Sequence, residues 1–347
     1  MAKRSVYSTK QLIADILSFN VNQEALSEHL KHTSIDWDSV VIIASKHLML
    51  PALYCQLKLK GLIDLIPEDL NIYLEEITSI NRGRNEILLK EAHEVSEILK
   101  KENIEHVFIK GMALLAGHIF KDKAERMIGD IDILVAPNQL DKAFEILTKC
   151  GYNETVDFNY EQKNFRHLAR QISKQKYGAV ELHCDVLIDK YQHLIINQEV
   201  IKNKRIINGI PIPSVVDSIK IAILALQIND KAHRMGYLSF KTIYDCLALN
   251  IIANNLWQKD FHVEEHEQSF LNLSSVFFKE LEPNKPSVYS TCLKYYFVFR
   301  LHNPKLGHLI YSLLNTIQNI NERMTIIILN KSYRSHIIKN KILRMKN

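Results

Sequence analysis

The sequence predicts a mixed α+β chain in which a small, partly mixed β-sheet with α/β connections is flanked by N-terminal and C-terminal helical units. Three observations carry this. Apolar residues recur at three- and four-residue spacing up to about Glu102, a β-rich texture begins at Ile104, and helical spacing returns beyond Pro213. With 347 residues, 47% of them hydrophobic and 24% charged, the chain can bury a sizeable core and divide into two or three units.

The first unit, 1–102, is read from QLIADIL, VVIIASKHLMLPALYCQL and ILLKEAHEVSEILKKE, with Pro51 and Pro67 as punctuation and Gly61 at a helix end. The core, 103–210, opens with the short strand IEHVFIK, followed by a helix over GMALLAGHIF and a second strand, DIDILVAP. Pro137 and Asn138 end that strand, a helix runs from Leu140 to Leu147, and Cys150-Gly151 closes it. Residues 166–173 and 179–187 then read as two strands joined by the turn KQKYG. In the third unit, 211–330, Ser214 is placed as an N-cap with Asp217 three residues on, and Glu282 to Pro286 form the clearest loop. A basic tail, 331–347, carries Lys331, Arg334, Lys339, Lys341, Arg344 and Lys346 with no acid; contact with RNA phosphate and a merely solvated helix end are its two readings.

Composition removes several classes. The opening residues lack the apolar stretch of a signal peptide, and the richest apolar run, Val40 to Tyr54, is interrupted by Lys46 and His47, so neither export nor membrane spanning is expected. Cysteines 55, 150, 184, 246 and 292 are scattered and never form C-x-x-C, which argues against a disulfide framework or a zinc site and for the cytoplasm. His262, Glu265 and His266 match the H-x-x-E-H spacing of inverted zinc peptidases, but their surroundings are polar on all sides and a solvated helix is the better reading.

The chemistry concentrates in GDIDILV. Side chains alternate along a strand, so Asp130 and Asp132 point the same way. Two carboxylates held side by side repel unless a cation compensates them, and such an oxygen pair suits Mg²⁺ or Mn²⁺. Upstream, the strand HVFIK runs into Gly111 and Met112 at a helix start, where a phosphate could meet free backbone N–H groups beside Lys110. Arg126 offers a cationic clamp for a triphosphate; its bland alternative is a surface ion pair with Glu125 or Asp122. Glu181 in AVELHCDV is the best placed third acid, as metal ligand or proton acceptor, with Asp185 competing for that place. His183 would orient a phosphate or the acceptor, or else be a satisfied half-buried histidine, and His167 would pack on the neighbouring strand.

The succession FIKGMALL, ERMIGDIDILV, Cys-Gly-Tyr, RHLA and VELHCD resembles the bacterial uncharacterised nucleotidyltransferase family of the DNA polymerase β-like superfamily, and KHLMLPALY, VVDSIKIAILAL and YDCLAL extend the likeness. The resemblance implies a nucleotidyltransferase core and assigns metal binding to Asp130 and Asp132, phosphate contact to the Gly111 loop and the third acid position to Glu181. It implies in-line attack by an acceptor hydroxyl on the α-phosphorus of a nucleoside triphosphate, assisted by two metal ions. Lys110-Gly111-Met112 stands where the wider superfamily has Gly-Ser, which removes a hydroxyl that commonly contacts phosphate. The expected acceptor is a small molecule, sugar, peptide or RNA, and a nucleotide- or RNA-binding module without turnover is the competing reading.

Overall fold

A computed structural model describes residues 6–156, 166–254 and 265–339; His262 of the peptidase-like string and Lys341, Arg344 and Lys346 of the basic tail lie outside them. Five helices come first: α1 (Val6–Leu17), α2 (Gln23–His32), α3 (Trp37–Lys46), α4 (Leu50–Leu59) and the long α5 (Glu68–Lys101). Local chemistry sets their ends. Asn22 and Asp36 cap α2 and α3 through their side chains, Pro51 sits in the first turn of α4, and Pro67 precedes α5. VVIIASKHLMLPALYCQL is therefore two helices, parted at Leu48, whose φ of 57° no helix continues through.

The core holds β1 (His106–Phe108), α6 (Lys110–Ala116), β2 (Ile131–Val135), α7 (Leu140–Lys149), β3 (Glu154–Val156), β4 (Arg170–Ile172), β5 (Val180–His183) and α8 (Asn197–Lys202), then a hairpin of β6 (Arg205–Ile207) and β7 (Ile210–Ile212). The five-stranded sheet has the order β1-β2-β5-β4-β3 and is mixed, with β2 and β5 parallel and the other pairs antiparallel. Helix α6 is shorter than its sequence predicts, because His118 takes a left-handed φ of 51°. The two strands expected at 166–173 and 179–187 contract to β4 and β5, and before β4 the pairing is reduced to an isolated bridge between His167 and His183.

The third helical stretch comprises α9 (Val215–Leu224), α10 (Ala232–Met235), α11 (Phe240–Ala248), α12 (Glu265–Ser274), α13 (Val288–His302), α14 (Pro304–Leu329) and α15 (Lys331–Ile337), with a π-helical turn, Ala225–Asn229, continuing α9. Ser214 caps α9 as its sequence requires, accepting from the Asp217 N–H at 3.0 Å. No helix among the described residues is long and apolar enough to cross a membrane.

Early and late helices share one apolar core, in which Leu12, Ile16, Leu53 and Leu57 meet Ile219, Ile243, Phe270 and Phe297. Helix α5 joins this core to the sheet: Leu70 and Leu74 belong to it, while Leu88, Val95 and Leu99 pack under Ile131, Ile133 and Leu182. Strand alternation sends Leu134 to the opposite face, against Ile221, Leu224 and Ile228. That second face also carries the polar residues of β2 and β5, so the α9 to α11 helices close over it.

Candidate active site

The site follows from register. Asp132 and Glu181 are direct partners in the parallel pair β2–β5, so their side chains leave the sheet on the same face, and His183, two residues along β5, shares it. His183 Nε2 lies 2.8 Å from Asp132 Oδ1 and 3.7 Å from Glu181 Oε2. One ligand atom from each of the three lies within 4.8 Å of the others, and all three residues are buried. Asp130 stands one residue before β2 and outside this closest group. It is tied in through Arg170, whose NH2 donates to Asp130 Oδ2 at 2.8 Å while its Nε donates to Glu181 Oε1 at 2.8 Å. Lys110 Nζ donates to Asp132 Oδ1 at 2.5 Å.

The charges have separable effects. Burial opposes the charge on Asp132, but the Lys110 ammonium and the His183 hydrogen bond outweigh it and hold this carboxyl far below the usual range. Glu181 behaves alike: burial raises it, and hydrogen bonds from His183 and Arg170 bring it down to about 2. Asp130 moves the other way, pushed up by burial and by the charges of Asp132 and Glu181. His183 Nδ1 has no hydrogen-bond partner among the described residues. The ring proton then belongs on Nε2, donated to Asp132, so the imidazole orients that carboxylate.

Helix α5 supplies the support. Asn81 Nδ2 donates to the Ala124 carbonyl at 2.7 Å, Asn85 Nδ2 to that of Arg126 at 2.8 Å, and Arg84 to those of Ile128 and Gly129, fixing the segment that delivers Asp130. Glu91 accepts from the N–H groups of Tyr177 and Gly178 at 2.6 and 2.7 Å and so anchors the KQKYG turn before β5. Gly178 leaves room there, because a Cβ would stand 2.8 Å from the terminal methyls of both Ile131 and Leu88, which would have to shift.

Two expected roles take unexpected forms. Lys110, not Gly111, holds the left-handed conformation at the α6 start, with φ 56°, a strained state for a side-chain-bearing residue. Gly111 still matters for space, since a Cβ would lie 3.3 Å from Ile128 and 3.7 Å from the Arg126 guanidinium. Met112 is buried among the apolar residues beneath the sheet and presents only its backbone to this region. Arg126 does not pair with Glu125 or Asp122: Asp122 pairs with Arg82, Glu125 accepts from the Tyr244 hydroxyl, and Arg126 Nε lies 2.8 and 3.0 Å from the two carboxylate oxygens of Asp245 on α11. Asp185, the rival third acid, accepts from Gln192 and Asn197 beyond the end of β5. His167 bridges to His183, their ring centroids 5.1 Å apart.

Sequence reasoning missed Arg170, Arg166, Lys241 and Asp245. Arg170 fell within an expected strand, but which acids it would meet depends on strand order, and Lys241 and Asp245 arrive on a helix more than one hundred residues downstream. Together with Lys110, Gly111, Arg126, Asp130 and Asp132, three of them, Arg166, Lys241 and Asp245, line a cavity of about 410 Å³ between the sheet face and α9–α11. Burial and the nearby Arg126 lower the Lys241 ammonium, as expected of a cation facing a cation across a closed space. Asp130 and Asp132 on the sheet side, with Lys110, Arg126, Arg166 and Lys241 among the other lining residues, suit a polyanion that brings its own divalent counterion.

No curated protein matches the chain. A family model described as uncharacterised nucleotidyltransferase matches residues 33–259, a span that includes α3 to α5, the whole sheet and the helices that close the cavity. The chain belongs to the uncharacterised nucleotidyltransferase family.

Proposed function

We propose that the protein is a divalent-metal-dependent transferase that moves a nucleoside monophosphate group from a nucleoside triphosphate to an acceptor hydroxyl, releasing pyrophosphate. One observation carries the reading: the β2–β5 register sets Asp132 beside Glu181, and Asp130 and Asp132 stand on the wall of a cavity that Lys110, Arg126, Arg166 and Lys241 also line. The residues fit a metal, since oxygens of Asp132 and Glu181 converge from adjacent strands beside a His183 nitrogen, and both of these carboxyls are held below their usual range despite burial. Asp130, Asp132 and Glu181 would hold Mg²⁺ or Mn²⁺, whose chemistry is to neutralise phosphate charge and activate an attacking oxygen.

The chain's own groups do the rest. His183 fixes the orientation of Asp132, and Arg170 that of Glu181. Lys110 pairs with Asp132, and Arg170 with Asp130 and Glu181, so the two cations offset much of the repulsion among the three acids. Lys110, Arg126, Arg166 and Lys241 then face the triphosphate, where fixed positive charge stabilises the departing pyrophosphate. The backbone N–H groups at the α6 start, beside Gly111, add neutral donors. The acceptor enters from the side of the helical shell, and a cavity of this size accommodates a nucleotide with little else.

The test is to incubate the protein with each of the four labelled ribonucleoside triphosphates and either Mg²⁺ or Mn²⁺, following pyrophosphate release with candidate hydroxyl acceptors. Release that disappears in Asp130→Ala and Asp132→Ala supports the proposal. Nucleotide binding that is retained with no release by the unaltered protein under any of these conditions would replace it with the binding-module reading.

A further inference from the structure

Far from the carboxylates, α14 breaks the rule that apolar side chains go inside. It is 26 residues long, and Gly307 alone among them is buried. Leu306, Leu309, Leu313, Leu314, Ile317 and Ile320 are all exposed, and Met324 and Ile328 continue the series. At 100° per residue these positions fall within one arc of roughly 140°, whereas Lys305, Asn315, Asn319, Glu322 and Arg323 fall on the other side. The helix is held to the molecule along a flank of the stripe. Gly307 meets Arg300 so closely that a Cβ would stand 2.8 Å from its Cα, and Glu322 pairs with Lys231 at 2.5 Å. A hollow of about 1580 Å³ lies along that flank, lined by Gln318, Asn321 and Thr325 with Leu314 and Ile317. The centre of the stripe, at Leu306, Leu313, Ile320 and Met324, lines no part of it.

Charge shows what covers this face. From Pro304 onward the sequence contains Lys305, Arg323, Lys331, Arg334, Lys339, Lys341, Arg344 and Lys346 against Glu322 alone, although the whole chain has a net charge of only +5. A second copy of the same helix would bring like charges together, and its seam would need a narrower stripe than this one. RNA would satisfy the charges but leave eight large apolar side chains in water. A bilayer surface rich in anionic lipid satisfies both features, since the stripe can enter the headgroup boundary while the lysines and arginines meet lipid phosphate. We propose that α14 and the basic segment after it dock the protein in the plane of an anionic membrane surface, without spanning it.

Flotation of the full chain with vesicles of phosphatidylcholine alone, or of equal parts phosphatidylcholine and phosphatidylglycerol, tests this. The expected result is binding to the anionic vesicles only, weakened by salt. Leu313→Asn with Ile320→Asn should abolish it. Lys331→Ala with Lys339→Ala should weaken it on the order of twenty-five-fold, at about fivefold per charge. Because these side chains are exposed, thermal melting of each variant should match the parent, and light scattering should report a monomer without lipid. Three results would overturn the proposal: no binding to anionic vesicles by the unaltered chain, a stable dimer that the Leu313 and Ile320 substitutions dissociate, or vesicle binding indifferent to both sets of substitutions. Pyrophosphate release is measured separately and does not bear on this outcome.

Discussion

The β2–β5 face and helix α14 contradict ordinary burial in opposite senses. At the sheet, Asp132, Glu181 and His183 are charged or polar and lie inside; along α14, Leu306 to Ile328 are apolar and lie outside. The sheet face resolves its conflict internally, since each buried carboxylate has a cation or an N–H within hydrogen-bond distance. Among the described residues, nothing covers the exposed apolar stripe of α14. A buried charge that is fully satisfied marks a place prepared for a ligand of matching charge, whereas an exposed apolar stripe marks a surface that is complete only with a partner.

Substitutions should separate the two regions by magnitude. The largest effect belongs to Asp132→Ala, which should lower the rate of nucleotidyl transfer by about three orders of magnitude, since metal-held charge stabilisation is worth several kcal/mol; steady-state pyrophosphate release measures it. Next comes Arg126→Ala, which leaves Asp245 buried and unpaired and should cost about 3–5 kcal/mol of stability in urea denaturation. Replacing both partners with apolar residues should recover much of that loss. Arg170→Ala should act more gently, because this guanidinium is half exposed: removing a cation that competes for Asp130 and Glu181 should tighten Mn²⁺ binding by about fivefold in a calorimetric titration.

Acid sharpens the comparison further. The Glu181 carboxyl is held at about 2, below its ordinary value, so the stability it contributes is fully present above that ordinary value. It should be lost as pH falls toward 2, and Glu181→Gln should remove this part of the acid transition in a pH series of melting temperatures. The smallest effect belongs to the other region: Ile317→Ser on α14 should change stability by no more than about 0.5 kcal/mol, because its side chain already faces water. A larger loss would mean that α14 is packed against something in the isolated protein.

What the sequence made legible follows the range of the interactions concerned. Asp130 and Asp132 could be placed on one strand, and Glu181 and His183 on another, because alternation is a local property. The Ser214 cap and the Gly61 turn were equally local. Strand order was not local, so the pairing of Asp132 with Glu181, the bridging by Arg170 and the hydrogen bonds of Asp185 to Gln192 and Asn197 became visible only in three dimensions. Arg126 was singled out as a cation, yet its partner Asp245 lies 119 residues away on a helix whose approach no periodicity encodes. The β6–β7 hairpin was a different kind of omission: Asn208-Gly209, both at positive φ between Ile207 and Ile210, is a strong two-residue turn signal that could have been read.

The account rests on Asp130, Asp132 and Glu181 acting together on one divalent ion, and electron paramagnetic resonance of added Mn²⁺ tests this most directly. The free Mn²⁺ signal should fall in a saturable way with the unaltered protein, and that loss should vanish in Asp132→Asn and weaken in Asp130→Asn and Glu181→Gln, while all three remain folded. Equal Mn²⁺ binding by the parent and by Asp132→Asn would contradict it.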